Sequence, residues 1–253
     1  MHTKQKKKGD WLLNILIVAC AAVLLFALYQ LGSWYLGARS EQSEIQDLRD
    51  QLPDRTEQTE TCTPYEAYAP LYDANPDMVG WLSIEGTNID YPVMHTPDDP
   101  EKYLHLNFEG EYASCGLLFT AANASFDPRS DNITIYGHNM HDGSMFHDLK
   151  NYKYKDYWLE HENVQFDTRW EYGTYQIFAA IMTDVNSTES WDYYNFAQAA
   201  SAEEFDEFVS ECKDRALYDT GITPQYGDDL LLLSTCDYYT ENGRMLVVAV
   251  KIS

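Results

Sequence analysis

The sequence predicts a mainly β domain, closed into an antiparallel barrel with a few helices around it, preceded by one N-terminal transmembrane helix. Three observations predict it. Short runs rich in β-branched and aromatic residues recur from residue 80 to the C-terminal end, divided by Gly, Pro, Asn and Asp turns. Only one segment among them carries a clear helical period, which argues against a doubly wound sheet with alternating helices. Residues 11–29, WLLNILIVACAAVLLFALY, form the one long apolar run.

That run is nineteen residues long. At about 1.5 Å per residue it covers roughly 28 Å, close to the ~30 Å hydrocarbon core of a bilayer. Lys4, Lys6, Lys7 and Lys8 precede it and no comparable basic cluster follows, which puts residues 1–10 in the cytoplasm and residues from about 35 onward outside. A cleaved signal peptide is the rival reading. The run is long for that purpose and no small-x-small cleavage site precedes Trp34-Tyr35, so an uncleaved anchor over 11–30 is expected. Residues 31–64 read as a stalk. Within it, Ile45, Leu48 and Leu52 recur at helical spacing, and the threonine-rich stretch 53–64 is a polar tether.

The globular domain is expected over 65–253. A short helix over 65–72 is stopped by Asn75-Pro76. Strands are expected over 80–84, 89–93, 116–119, 132–136, 163–166, 174–182, 230–235 and 245–252. Before the last two strands, Ser201 and Glu204 have capping-box spacing, and Phe205, Phe208, Val209 and Cys212 line one helical face. Cys212 is therefore read as core.

The chain has 253 residues, 45% of them hydrophobic and 14% aromatic, enough to bury a core. Its formal net charge of −24 makes nucleic acid and anionic lipid poor partners for the globular part. Five cysteines are present; Cys20 falls in the apolar run and Cys62, Cys115, Cys212 and Cys236 show no disulfide-framework spacing. There is no CxxC and no HExxH, so no metal is expected.

The residues that carry chemistry lie at strand ends. Cys236 follows the wholly apolar run Leu230-Leu231-Leu232-Leu233, and Arg244 opens the next strand after an Asn242-Gly243 turn. If those strands pair as a hairpin, Cys236 and Arg244 face each other at its mouth, roughly 5 Å apart at Cα. A guanidinium there favours a thiolate and can donate to an oxyanion. Spacing alone fits equally a buried cysteine and an arginine paired with Asp237 or Glu241. His138 follows Gly137 at the end of another strand; by local reasoning His141 and His147 compete with it as the base. His95, His105 and His161 lie in loop-like segments with no partner suggested.

Taken together, Tyr136-Gly137-His138-Asn139-Met140 with Gly143-Ser144-Met145-Phe146 behind it, Leu233-Ser234-Thr235-Cys236 with Arg244 eight residues on, and Gly86-Thr87-Asn88-Ile89-Asp90-Tyr91-Pro92 upstream resemble the class B sortases. The likeness runs from about Val79 to the C-terminal end. The order His, Cys, Arg matches, and differs from the Cys-before-His order of papain-like proteases. The capped helix before the cysteine strand, followed by Arg215-Ala216-Leu217-Tyr218-Asp219, is similar to the helical insertion that marks class B.

The resemblance implies an eight-stranded β-barrel on the outer face of a Gram-positive bacterium, working as a transpeptidase without a cofactor. Cys236 would attack the threonine carbonyl of a C-terminal sorting signal, His138 would act as general acid and base, and Arg244 would stabilise the tetrahedral intermediate. The acyl group would pass to an amine of a peptidoglycan precursor, anchoring a surface protein to the cell wall. Leu104, Tyr136, Trp191 and Ser234 match positions lining the family's substrate groove, with core packing the alternative for Leu104 and Trp191. Leu232 stands where the family has threonine, and Thr120-Ala121-Ala122-Asn123 replaces an acidic–aromatic–arginine loop near the site. Two other functions use the same residues: a membrane-anchored cysteine endopeptidase with water as acceptor, and a non-catalytic peptide-binding module.

Overall fold

The computed structural model describes residues 6–52, 62–184, 191–237 and 243–253, with backbone alone for 6–10, 33–41 and 236–237. It falls into two units, Met1–Asp47 and Leu48–Ser253. The first is helical. Helix α1, Lys6–Arg49, is continuous, whereas the sequence reading separated an anchor from a helical stalk segment. Its stretch Trp11–Gly32 has a mean hydropathy of 2.7 and is long and apolar enough to cross a membrane.

The second unit is a closed eight-stranded barrel. It opens with helix α2, Pro64–Ala74, started by a full capping box in which the Thr63 hydroxyl accepts from the Glu66 amide and the Glu66 carboxylate accepts from the Thr63 amide. The strands are β1 Met78–Ser83, β2 Asp90–Met94, β3 Leu118–Thr120, β4 Asn132–Gly137, β5 Asn163–Thr168, β6 Thr174–Asp184, β7 Leu230–Asp237 and β8 Gly243–Lys251. Each overlaps an expected strand, with no end shifted by more than two residues. Around the barrel the order is β1-β2-β3-β4-β7-β8-β6-β5, with β5 closing onto β1. Helix α3, Lys155–Glu160, and the 3₁₀ segment Phe146–Lys153 lie between β4 and β5.

The expectation of a wholly antiparallel barrel needs correcting. Two seams, β2 with β3 and β4 with β7, are parallel. Local patterning cannot reveal this, because the β4 and β7 partners lie about a hundred residues apart and each strand reads the same whichever way its neighbour runs. The consequence is functional: β4 and β7 end at the same rim of the barrel.

The apolar run of β7 reflects burial on both faces. Leu230 and Leu232 pack with Leu246, Val248 and Val250 of β8 and Phe178 and Ile181 of β6 under helix α4, Ala202–Arg215. Phe205, Phe208, Val209 and Cys212 supply the helix side of that cluster, all nearly solvent-free. Each such aliphatic side chain contributes about 1.5–3 kcal/mol. Burial pushes the Cys212 thiol well above its ordinary pKa, as suits a core thiol and not a reactive one. The Ser201 hydroxyl caps α4 by accepting from the Glu204 amide, but the Glu204 carboxylate accepts from the Ala200 amide, so the reciprocal half of the expected capping box is displaced by one residue.

Candidate active site

Three residues share one rim. In the parallel β4–β7 ladder, Tyr136 pairs with Ser234 and Gly137 with Thr235. The next position on each strand is His138 and Cys236. In the antiparallel β7–β8 ladder, Cys236 pairs with Arg244. The backbone therefore sets His138, Cys236 and Arg244 side by side across three neighbouring strands, spaced by the roughly 4.8 Å between paired strands. The thiol's own position lies outside the described side chains, as does most of the turn expected at Asn242-Gly243.

A cleft of about 880 Å³ opens beside this row. Leu104, Tyr136, His138, Ser234 and Arg244 line it, together with Phe119 and the 120–123 segment. Of the three competing loop histidines only His138 lines the cleft; His141 is exposed on the turn beyond it, and His147 sits against Lys150 on the 3₁₀ segment.

His138 is half-buried. Its Nε2 lies 3.0 Å from the Leu104 carbonyl oxygen. A carbonyl only accepts, so Nε2 carries the proton and Nδ1 is the basic nitrogen of the neutral ring. Its own carbonyl accepts from the Phe146 amide at 2.8 Å, and the Thr235 hydroxyl donates to the Gly137 carbonyl at 2.7 Å, fixing the strand end on both sides. Burial lowers the imidazole below the ordinary histidine value; the Leu104 hydrogen bond works against that, and neighbouring His105 adds to it.

Gly137 itself is a packing requirement. A Cβ there would collide with Leu118 Cδ2 and lie 2.7 Å from Phe146 Cδ2, and Phe146 is fully buried. Leu104 in turn is held by its 3₁₀ turn, Lys102–Leu104. The Lys102 ammonium meets the Asp77 carboxylate at 2.6 Å, and the Tyr103 hydroxyl donates to the same carboxylate at 2.9 Å. Burial alone would raise the Asp77 carboxyl, but those two hydrogen bonds and the lysine's charge bring it below its ordinary value.

Gly116, at φ +54°, packs under the same turn; any Cβ would strike the carbonyl oxygens of Tyr103 and Leu104. Replacing Gly116 with alanine is expected to push the Leu104 carbonyl off His138. A fall of about tenfold or more in kcat/KM should accompany about 1 kcal/mol or more of destabilisation, read by peptide turnover and thermal unfolding.

Among the groove residues, Leu104, Tyr136 and Ser234 all face the cleft. The Tyr136 phenol is pushed above its ordinary value by burial and by Tyr193 and Tyr194, with Arg244 opposing, so it stays a neutral donor. The Ser234 hydroxyl is buried and 3.0 Å from the Tyr193 hydroxyl. Trp191 departs from the expectation. It does not line this cleft; its ring packs on Phe208 and Tyr193 and lies under the Arg215 guanidinium, the core alternative. The aromatics of that loop that do line the cleft are Tyr193 and Tyr194, which sequence spacing gave no reason to prefer.

Comparison with known proteins fixes the family. The family model for the sortase domain matches residues 82–252. The chain belongs to the sortase family. Sortase B of Listeria monocytogenes is 34% identical over 179 residues, which cover 70% of this chain and 70% of that one. Sortase B of Staphylococcus aureus is 26% identical over 245 residues, 95% and 96% of the two chains. A solved S. aureus sortase B–substrate complex shares the fold with a TM-score of 0.75 at 24% identity, covering 86% of this chain and 99% of that one. This sortase is of the B type, a cysteine transpeptidase. In this sortase the β4–β7–β8 rim is the candidate catalytic edge.

Proposed function

We propose that this sortase cleaves a C-terminal sorting motif of exported proteins through a thioester on Cys236 and passes the acyl group to an amine of a peptidoglycan precursor, anchoring the protein to the cell wall. What supports the reading is the strand register, which lines up His138, Cys236 and Arg244 beside one cleft. The Cys236 sulfur adds to the scissile carbonyl as its proton passes to His138, and the Arg244 guanidinium stabilises the oxyanion with up to two hydrogen bonds. The C–N bond breaks as protonated His138 gives its proton to the leaving amine. The incoming amine then attacks the thioester, His138 takes its proton and passes it to the departing sulfur, and the Cys236 thiol is released. Leu104, Tyr136 and Ser234 hold the peptide in the cleft. The N-terminal lysines support a topology with the N-terminus cytoplasmic, 11–30 in the membrane and the barrel outside.

A fluorogenic peptide library of LPxTG and NPxTx types, cleaved by the full chain in detergent, tests both motif and acceptor. Added triglycine or hydroxylamine is expected to accelerate turnover and appear in the product. Cleavage indifferent to added amine would make water the acceptor and the protein an endopeptidase.

A further inference from the structure

Next to the row of three residues stands an imidazole that the transpeptidation scheme does not use. His105 begins a small antiparallel hairpin. The Ala113 amide donates to the His105 carbonyl at 3.0 Å, Leu106 bridges to Tyr112, and the Asn107 amide donates to the Glu111 carbonyl at 2.8 Å. The turn is completed by Gly110 at φ +81° and by the Glu111 amide donating to the Asn107 side chain at 2.7 Å. This hairpin lays the His105 ring over His138, with centroids 5.4 Å apart and planes within 20° of parallel. Tyr112, on the other arm, tilts against His105 with ring centroids 6.2 Å apart. Three rings thus run from open solvent, where Tyr112 is 78% exposed, to the half-buried His138. His138 is held on its edge by the Leu104 carbonyl and on its face by His105, both next to the 3₁₀ turn that Asp77, Lys102 and Tyr103 secure.

We propose that His105 is a positioning residue for His138: its stacked ring fixes the plane of the general acid–base and keeps solvent from that face. The proposal rests on the catalytic reading of His138 given above. A ring held at its edge alone can still swing about χ1 and χ2, and a misplacement of about 1 Å can cost as much as 100-fold in rate. An imidazole in that place also has an electrical effect that an inert ring lacks. Two protons on rings this close repel, so His105 opposes protonation of His138. Other ionisable groups around the cleft are Glu101 near the 3₁₀ turn, Tyr136 on β4, Tyr193 and Tyr194 before α4, and Arg244 on β8, with Cys236 adjacent in the register. Among the described residues His105 is the one in ring contact with His138.

The test uses the full chain in detergent micelles, with His105→Ala and His105→Phe variants and two readouts. Histidine-selective ¹³C NMR follows the His138 titration, assigned by its loss in His138→Gln, and peptide turnover gives kcat/KM against pH. His105→Ala is expected to move the His138 midpoint to higher pH, carry the matching limb of the pH profile with it, and lower kcat/KM on the order of tenfold at neutral pH. His105→Phe retains a ring and is expected to restore most of the rate. An unmoved His138 midpoint in His105→Ala, or a moved midpoint with unchanged kcat/KM, overturns the proposal. Should His138→Gln keep full turnover, the catalytic reading of His138 fails, and the NMR midpoint separates that failure from this one.

Discussion

Cys236→Ala is expected to lose at least about 10⁴-fold in kcat while keeping the fold. Without sulfur there is no acyl intermediate, and the remaining groups could only assist direct attack by water or amine, a step that the arrangement of His138 and Arg244 around residue 236 does not serve. Cys236→Ser is expected to fare little better, because a hydroxyl is a far weaker nucleophile than a thiol at neutral pH. The fold should tolerate both changes, since the residue stands near the end of β7, beyond the leucine run that carries the core. Thermal unfolding within about 1 kcal/mol of the parent would confirm that. Mass spectrometry supplies an independent check: incubation with substrate peptide should give an acyl adduct on the parent chain and none on the alanine variant. An adduct on Cys62 or Cys115 instead would move the nucleophile elsewhere.

Arg244→Ala is expected to cost about 10²–10³-fold in kcat, close to 3–4 kcal/mol of transition-state stabilisation. Arg244 is directly opposite Cys236 in the β7–β8 register and lines the cleft. Its charge also bears on Tyr136, whose phenol it holds down against burial. An interaction that strengthens as the oxyanion forms should appear in kcat, with KM changed much less. Lysine should restore little of the rate, because one ammonium cannot reproduce the planar two-point donation of a guanidinium. Substrate affinity lost in proportion to rate would instead make Arg244 a binding residue for the ground state.

The strands were legible because burial writes itself into composition. The apolar run of β7 and the β-branched stretches of β4, β6 and β8 could hardly be anything else once α4 was seen to cover one face. The pairing of those strands was not legible. Nothing in residues 132–137 says that their partner is 230–235, nor that the pair runs in parallel. The site followed the same division. Cys236 and Arg244 could be set opposite each other from a hairpin that closes locally, and that register is found. His138 could not be told from His141 and His147 by local spacing, because its distinction is the neighbour β7 provides. His105 escaped altogether: the short hairpin that brings it over His138 carries one isolated bridge and no strand period. For Trp191 the sequence left groove and core both open, and its ring packs on Phe208 of α4.

The two ladders flanking β7 also tie the proposed site to the closing of the barrel. β4, β7 and β8 appear in that order along the chain, and each contributes one member of the proposed set. A nascent chain that has emerged only through β7 holds its sulfur without the guanidinium, and without the strand that joins β7 to β6. The proposed set is therefore complete only once β8 has docked between β7 and β6, so closing the barrel and assembling the site are one event.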